Sequence, residues 1–470
     1  MSKIEVDQIT QQSGTTVTVG GGACKTAAID ASTVTIGRSG GTVSLASGAT
    51  QSGFGRTGTV NWDTTIKTAD FTATSGSGFF VNTGGGSNIT VTLPASPSAG
   101  DIVSVADYGG TAATNKIIIN RNGSNLEGGT TNGEITANRQ AVTLIFADST
   151  QGWISVNDND SGIQQQLYIA ATGGNTTATC GDFKIHTFTS PGTFCVSCAG
   201  NAAGSNKVSY LVVAGGAGGG AGNGGGGGAG GFREGKAPAF DSYTSSPLVA
   251  PDGLTVTATG IPITVGGGGA GGAANFGQGG TGSVSTFSTI TSAGGGAGAS
   301  NCTGVANAGG NGGSGGGGSS GTNSSSTAAA GSGNTPSVSP PQGQNGGTGF
   351  HSPGNHQVGG GGGGAGAVGA SSPQSTTGVG GNGGNGVSTS INNSSTARGG
   401  GGGGGAHAGP STTAGSGGSG GGGNGQLQSG TAATAGTANT GGGGGGGGNA
   451  PTTGAAGGSG IVIIRYRFQN

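Results

Sequence analysis

Residues 441–448 are eight consecutive glycines, and similar glycine-dense stretches recur from Gly215 to Gly460. A chain without Cβ atoms has no apolar side chains to bury, and it loses more backbone entropy on ordering than any other. Such stretches either stay without order or pack backbone against backbone. Glycine and proline make up about 29% of the 470 residues, a composition usual for low-complexity chains. Those chains ordinarily stay soluble through charge. Here the net charge is −1, and Arg398 is the only charged residue between Gly253 and Gly460.

The last strand contrasts with this region. Ile461-Val462-Ile463-Ile464 is strongly apolar, and Tyr210-Leu211-Val212-Val213 is its counterpart just before the glycine begins. If the two pair, both ends of the glycine region are pinned and it becomes an insertion into a β-scaffold. Only compact packing of the insertion then offsets its loop-closure entropy. In the polyproline-II conformation, glycine runs have three residues per turn, with N–H and C=O pointing outward to neighbouring runs. Collagen's strict Gly-X-Y period and abundant proline are missing, so a hexagonal stack of polyglycine-II helices is the expected ordered form.

The runs are read as 293–299, 308–318, 359–370, 378–386, 399–406, 415–425 and 441–448. Their connections alternate short and long, so antiparallel succession puts the long loops 319–358, 387–398 and 426–440 on one face as a common tip. Phe350, His351, His356, Gln357, Asn392, Asn393, Arg398, Gln426 and Gln428 are the candidate contact residues of those loops. Aromatic, imidazole, amide and guanidinium groups offer contact area that serine, threonine and glycine lack. The competing reading is that these residues are solvated or pack on the slab.

Upstream, residues 1–60 hold short alternating strands between glycine turns, read as a trimeric β-shaft. Residues 61–160 have the pattern of an antiparallel β-sandwich with Trp62 and Trp153 as core anchors. Residues 161–214 form the β-scaffold, closed by 461–468, and 215–460 form the glycine-rich tip. Alternation puts Lys184, His186 and Phe188 on one strand face, with His186 at a packed edge.

Several functions find no support in the sequence. No basic patch serves nucleic acid, and no run of about 18 apolar residues suits membrane insertion. The absence of a signal-like start predicts a protein kept in, or released from, a cytoplasm. Gly230–Ala237 nearly matches a phosphate loop but lacks the hydroxyl that would ligate Mg²⁺. Cys195-Val-Ser-Cys198 lacks a second ligand pair, and Cys24, Cys180 and Cys302 are scattered, so the cysteines read as structural. The loops hold no paired carboxylates for glycan cleavage, and Asp158 and Asp160 read as solvated turn residues. The expectation is a non-enzyme without cofactor or metal.

"GFGRTGTVNW" at 53–62, "VSYLVVAGGAGGG" at 208–220, "STFSTITSAGGGAG" at 285–298 and "GGSGIVIIRYRF" at 457–468 resemble the glycine-rich tail-fibre proteins of tailed bacteriophages, notably marine and cyanobacterial ones. The glycine part is similar to the polyglycine-II sandwich of adhesins on T-even-type long tail fibres. The resemblance implies a homotrimeric virion component, held at its N-terminus by a tail or baseplate protein, whose tip loops bind a host-surface protein or glycan. The alternative is a structural fibre or extracellular matrix protein without a receptor.

Overall fold

The computed structural model describes residues 60–156, 164–165, 167–201, 204–274, 277–301, 307–321, 327–352, 356–374, 378–407, 409 and 412–469. The expected shaft, Cys24, Cys302, Asp158 and Asp160 lie outside the described residues. The fold is all-β: every regular element in those residues is a strand.

Residues 60–156 form two facing sheets, and successive strands alternate between them. Asn61–Lys67, Ser77–Val81 and Ile102–Asp107 lie side by side in one sheet, and Phe71–Thr72, Ile89–Thr92 and Ile117–Asn120 in the other. Neighbours within each triplet are parallel. This corrects the antiparallel expectation. Each turn carries the chain across to the opposite sheet rather than back beside itself, so every second strand points the same way. Hairpins return only with Gly133–Ile135, Ala141–Asp148 and Gly152–Ser155.

Val81, Val91, Leu93, Ile117, Ile119, Leu144 and Trp153 fill the core between the sheets. Trp153 meets Phe146 edge-on at 5.6 Å. Trp62 is no core anchor: it is 39% exposed and stacks on Phe80 outside the sheet.

The scaffold also has two sheets. One runs Ile169–Thr172, Gly192–Ala199, Gly260–Thr264, Ser285–Phe287, Ile290–Ser292. In the other, Ile461–Arg467 lies between Phe183–Phe188 and Lys207–Val213, flanked by Thr176–Cys180, Phe232–Gly235 and Val249–Ala250. Tyr210, Leu211, Val212 and Val213 pair with Ile464, Ile463, Val462 and Ile461, so the two apolar strands do close the insertion on itself. Phe188, Phe194, Val212, Phe287, Val462 and Ile464 form the core between the two sheets. Ile185, Leu211, Val213, Ile461 and Ile463 face the glycine region instead, against Val387, Ile391 and Ala365.

His186 is buried in a central strand rather than at an edge. Its Nδ1 lies 2.6 Å from the Gly173 carbonyl and therefore donates to it, leaving Nε2 to accept from the Tyr466 hydroxyl at 3.1 Å. Burial pulls its pKa below the ordinary 6.5, with the Gly173 bond opposing. Because the folded pKa is depressed, the unfolded chain binds a proton that the folded one refuses. Stability is full above about pH 6.5 and is lost as pH falls through the folded pKa. Urea midpoints should therefore drop from neutral to mildly acid pH, and His186→Gln should flatten that slope.

The glycine region is a polyglycine-II slab, shown by the period of its hydrogen bonds. In run 214–221, Gly215, Gly218 and Ala221 donate to Ser283, Gly280 and Gly277. Gly216 and Gly219 donate to Gly458 and Ala455, and Ala217 and Gly220 to Gly228 and Gly225. Every third amide thus meets the same neighbour, as three residues per turn require. The carbonyls of the same run accept from Gly295 and Gly298, from Gly269 and Gly272, and from Gly444 and Gly447. Six other runs therefore surround this one, in a hexagonal array.

Partner numbering gives the directions, since it falls along antiparallel neighbours and rises along parallel ones. Runs 214–221, 266–272, 293–299, 314–320, 342–349, 367–372, 399–406, 422–427 and 441–448 lead away from the scaffold. Runs 224–231, 277–283, 308–313, 328–334, 359–364, 379–386, 412–419, 434–437 and 453–460 return. Runs expected to be single, 308–318, 359–370 and 415–425, each reverse in the middle. At the last of these, Gly420 and Gly421 have φ of 94° and 96°, which glycine adopts without strain.

Candidate functional site

Strict alternation gives the slab two ends. The far end carries the turns that follow outgoing runs, and the near end carries those that follow returning runs, against the scaffold. This overturns the grouping of the three long loops. Loop 387–398 is a hairpin of Val387–Thr389 and Thr396–Arg398 at the near end, where Ser390 donates to the Thr244 carbonyl. Loop 319–358 contains the two extra runs 328–334 and 342–349, and 426–440 contains run 434–437. The reason is spacing: those segments are rich in serine, threonine and alanine, which the outer layer accepts where they face water.

The candidate residues divide accordingly. Arg398, Asn392 and Asn393 belong to the near end. Arg398 is 4% exposed, and its Nε and Nη1 find no hydrogen-bond partner. Burial lowers its pKa, and the carboxylate of Glu234 opposes that shift. Asn392 keeps a buried Oδ1 without a partner, and Asn393 is exposed in the turn at φ 71°.

Phe350, His351, His356, Gln357, Gln426 and Gln428 belong to the far end. Phe350 and His351 lie in Gly349–Ser352, paired with His356–Val358. Both are buried, Phe350 against Val358 and Ala406. His356 Nδ1 lies 3.2 Å from Thr412 Oγ1, and Gln357 Oε1 accepts from Asn223 Nδ2 at 2.6 Å. The backbone of Gln426 bonds to Gly446 and Ala406, and the Gln428 amide donates to the Ala406 carbonyl. Phe350 and His351 thus plug the end of the stack, while His356, Gln357, Gln426 and Gln428 stay half-buried around it.

Among the described residues, the exposed surface of the far end includes others that the sequence reading did not single out. Ala274, Thr327, Pro373, Gln374, Thr413, Ser429, Thr431 and Pro451 are exposed there. None of them is charged. Their signal was position, since each lies a few residues past an outgoing run, and that position could be read only after the reversals were known.

The near end holds a buried ionic cluster. Arg465 Nε contacts both carboxylate oxygens of Asp241, at 2.9 and 3.1 Å, and Ser209 Oγ donates to Asp241 Oδ2 at 3.0 Å. The Arg465 guanidinium lies 4.3 Å from the Phe183 ring centre. Glu234 accepts from the Ser246 amide at 2.9 Å and from Thr389 Oγ1. Burial, reinforced by Glu234 and Asp241, pushes the Tyr243 pKa up.

Cys195 and Cys198 lie on one strand of the scaffold as free thiols, pairing with Thr172 and Ala170. Among the described residues, no group of three or more His, Cys, Asp or Glu side chains could hold a metal ion. No helix of the described residues is long and apolar enough to cross a membrane.

No curated protein matches the chain. A family model described as a glycine-rich domain matches residues 188–467, from the end of strand Phe183–Phe188 to the last residue of Ile461–Arg467. That span takes in the slab and the strands that close it, and the chain belongs to the family of proteins with this glycine-rich domain.

Proposed function

We propose that the chain is the host-binding part of a bacteriophage tail fibre, and that it contacts the bacterial surface through the far end of the slab. The observation that carries this reading is the convergence of the outgoing runs on one end of the slab, where the described surface residues are uncharged. Backbone hydrogen bonds on all sides of each inner run make the support beneath it rigid. Loops on such a support can vary in sequence while the scaffold stays fixed. Recognition is then by hydrogen bonds and small apolar contacts to a surface protein or glycan. A homotrimer held at its N-terminus by a tail protein would multiply those weak contacts.

The test is binding of the full chain to intact candidate host bacteria. Thr413→Arg and Thr431→Arg place bulk on the far end, and Ser388→Arg, exposed at the near end, serves as control. The two far-end changes should cut binding by about tenfold or more with unchanged thermal midpoints. Equal binding by all of these variants would leave the chain as a structural fibre without a receptor.

A further inference from the structure

A cleft of about 490 Å³ opens at the near end. Four segments distant in sequence build it: the turn before Phe183–Phe188, residues 242–244, the turn of the hairpin 387–398, and Arg465 of the closing strand. The Ser390–Thr244 backbone bond of 2.9 Å fixes residues 242–244 to the hairpin. Asp182, Phe183, Ser242, Ser390, Asn393 and Arg465 line it.

Arg465 supplies the built feature. It is 5% exposed, its Nε is committed to Asp241, and its Nη1, itself shielded from water, has no hydrogen-bond partner. An arginine held this deep with donors to spare is costly unless something completes it. The Phe183 ring beside it is half-buried and contributes an apolar face to the lining.

We propose that this cleft binds one neutral sugar ring of a surface glycan. Asp241 already balances the guanidinium and Asp182 adds a second carboxylate to the wall, so a further anion is disfavoured. A neutral polyol fits, because its oxygens accept from Arg465 and the Asn393 amide while its hydroxyls donate to Asp182, Ser242 or Ser390. The C–H face of the ring meets Phe183, and the volume lies within the usual range for small-ligand sites. The site stands at the opposite end of the slab from the surface proposed for cell attachment and does not rest on that proposal.

Saturation-transfer NMR on the full chain tests it, with the methyl pyranosides of glucose, galactose and mannose as probes and glucuronate as the acidic comparison. At least one neutral pyranoside should bind with a Kd of about 1 mM or tighter. Asn393→Gly keeps the turn, because glycine accepts the positive φ. This variant and Asp182→Asn should each weaken binding at least about fivefold with the thermal midpoint unchanged, and Thr413→Arg should have no effect. No signal from any neutral pyranoside, unchanged binding in both near-end variants, or tighter binding of glucuronate than of its neutral counterpart would overturn the assignment.

Discussion

Replacing Gly402 with alanine should lower the thermal midpoint by roughly 5–10 °C, whereas Gly267→Ala should leave it within about 2 °C of the parent. Gly402 lies in an inner run, where its amide donates to Gly227 at 2.9 Å and its carbonyl accepts from Gly362 at 2.8 Å. A Cβ there would sit 2.0 Å from the Gly444 carbonyl oxygen. The same geometry means that a Cα hydrogen of Gly402 points at that oxygen, a weak but repeated attraction that alanine converts into a clash.

Gly402 cannot shift away, because other runs enclose it. The cost of forcing them apart is on the order of 2–3 kcal/mol. Gly267 is exposed, and a Cβ there meets nothing within 4 Å. Calorimetry of the two variants distinguishes a lattice of defined spacing from a loose glycine mass, in which the two changes would act alike.

Deleting Ile461–Arg467 should remove the cooperative unfolding of the glycine region, although it removes no residue of the slab. Ordering a glycine costs about 1–2 kcal/mol. One backbone hydrogen bond returns about 1 kcal/mol net and a Cα–H···O contact about 0.5–1. The slab alone is therefore close to balanced, and the surplus must come from the apolar scaffold. Ile461–Arg467 is the centre of that scaffold, with Val462, Ile463 and Ile464 fully buried. Ile463→Asp, which buries a charge at the same place, should have the same effect without shortening the chain. Limited proteolysis between 266 and 460 reads both variants: rapid cleavage is expected, and resistance equal to the parent would mean that the slab is stable unaided.

Some of this architecture was legible in the sequence and some was not. The pairing of Tyr210–Val213 with Ile461–Ile464 was visible because two apolar strands flanked a region that could not bury them. The polyglycine-II form followed from the absence of side chains. The path of the runs did not follow, for glycine reverses direction without a marker residue, as at Gly420 and Gly421.

One available signal was missed. Gly381-Asn382-Gly383-Gly384-Asn385-Gly386 and Gly415-Ser416-Gly417-Gly418-Ser419-Gly420 repeat every three residues, with the first residue of each triplet buried and the second exposed. The Asn382 and Asn385 side chains accept from the amides of Ser416 and Ser419 on the adjacent run, at 2.8 and 3.0 Å. Those outer-layer triplets, set against the unbroken glycine of 441–448, distinguish surface runs from inner ones.

The sandwich misled for a related reason. Gly, Asn and Asp turns serve equally to fold a strand back beside itself or to cross to the opposite sheet, so parallel and antiparallel windings share one strand pattern. For the candidate residues, chemistry was read without place. Phe350 and His351 are large enough to plug the stack and do so, while Asn393, one of several amides in the loops, proves to line a cleft.

Hydrogen exchange of the glycine amides, followed by mass spectrometry on the intact chain, tests the central claim most directly. The inner runs 399–406 and 441–448 have backbone amides bonded to neighbouring runs and shielded from water, so they should exchange orders of magnitude more slowly than an unstructured chain. The exposed turn at 429–432 should exchange at once. Fast exchange throughout 399–448 would mean that the glycine region does not form a packed polyglycine-II lattice.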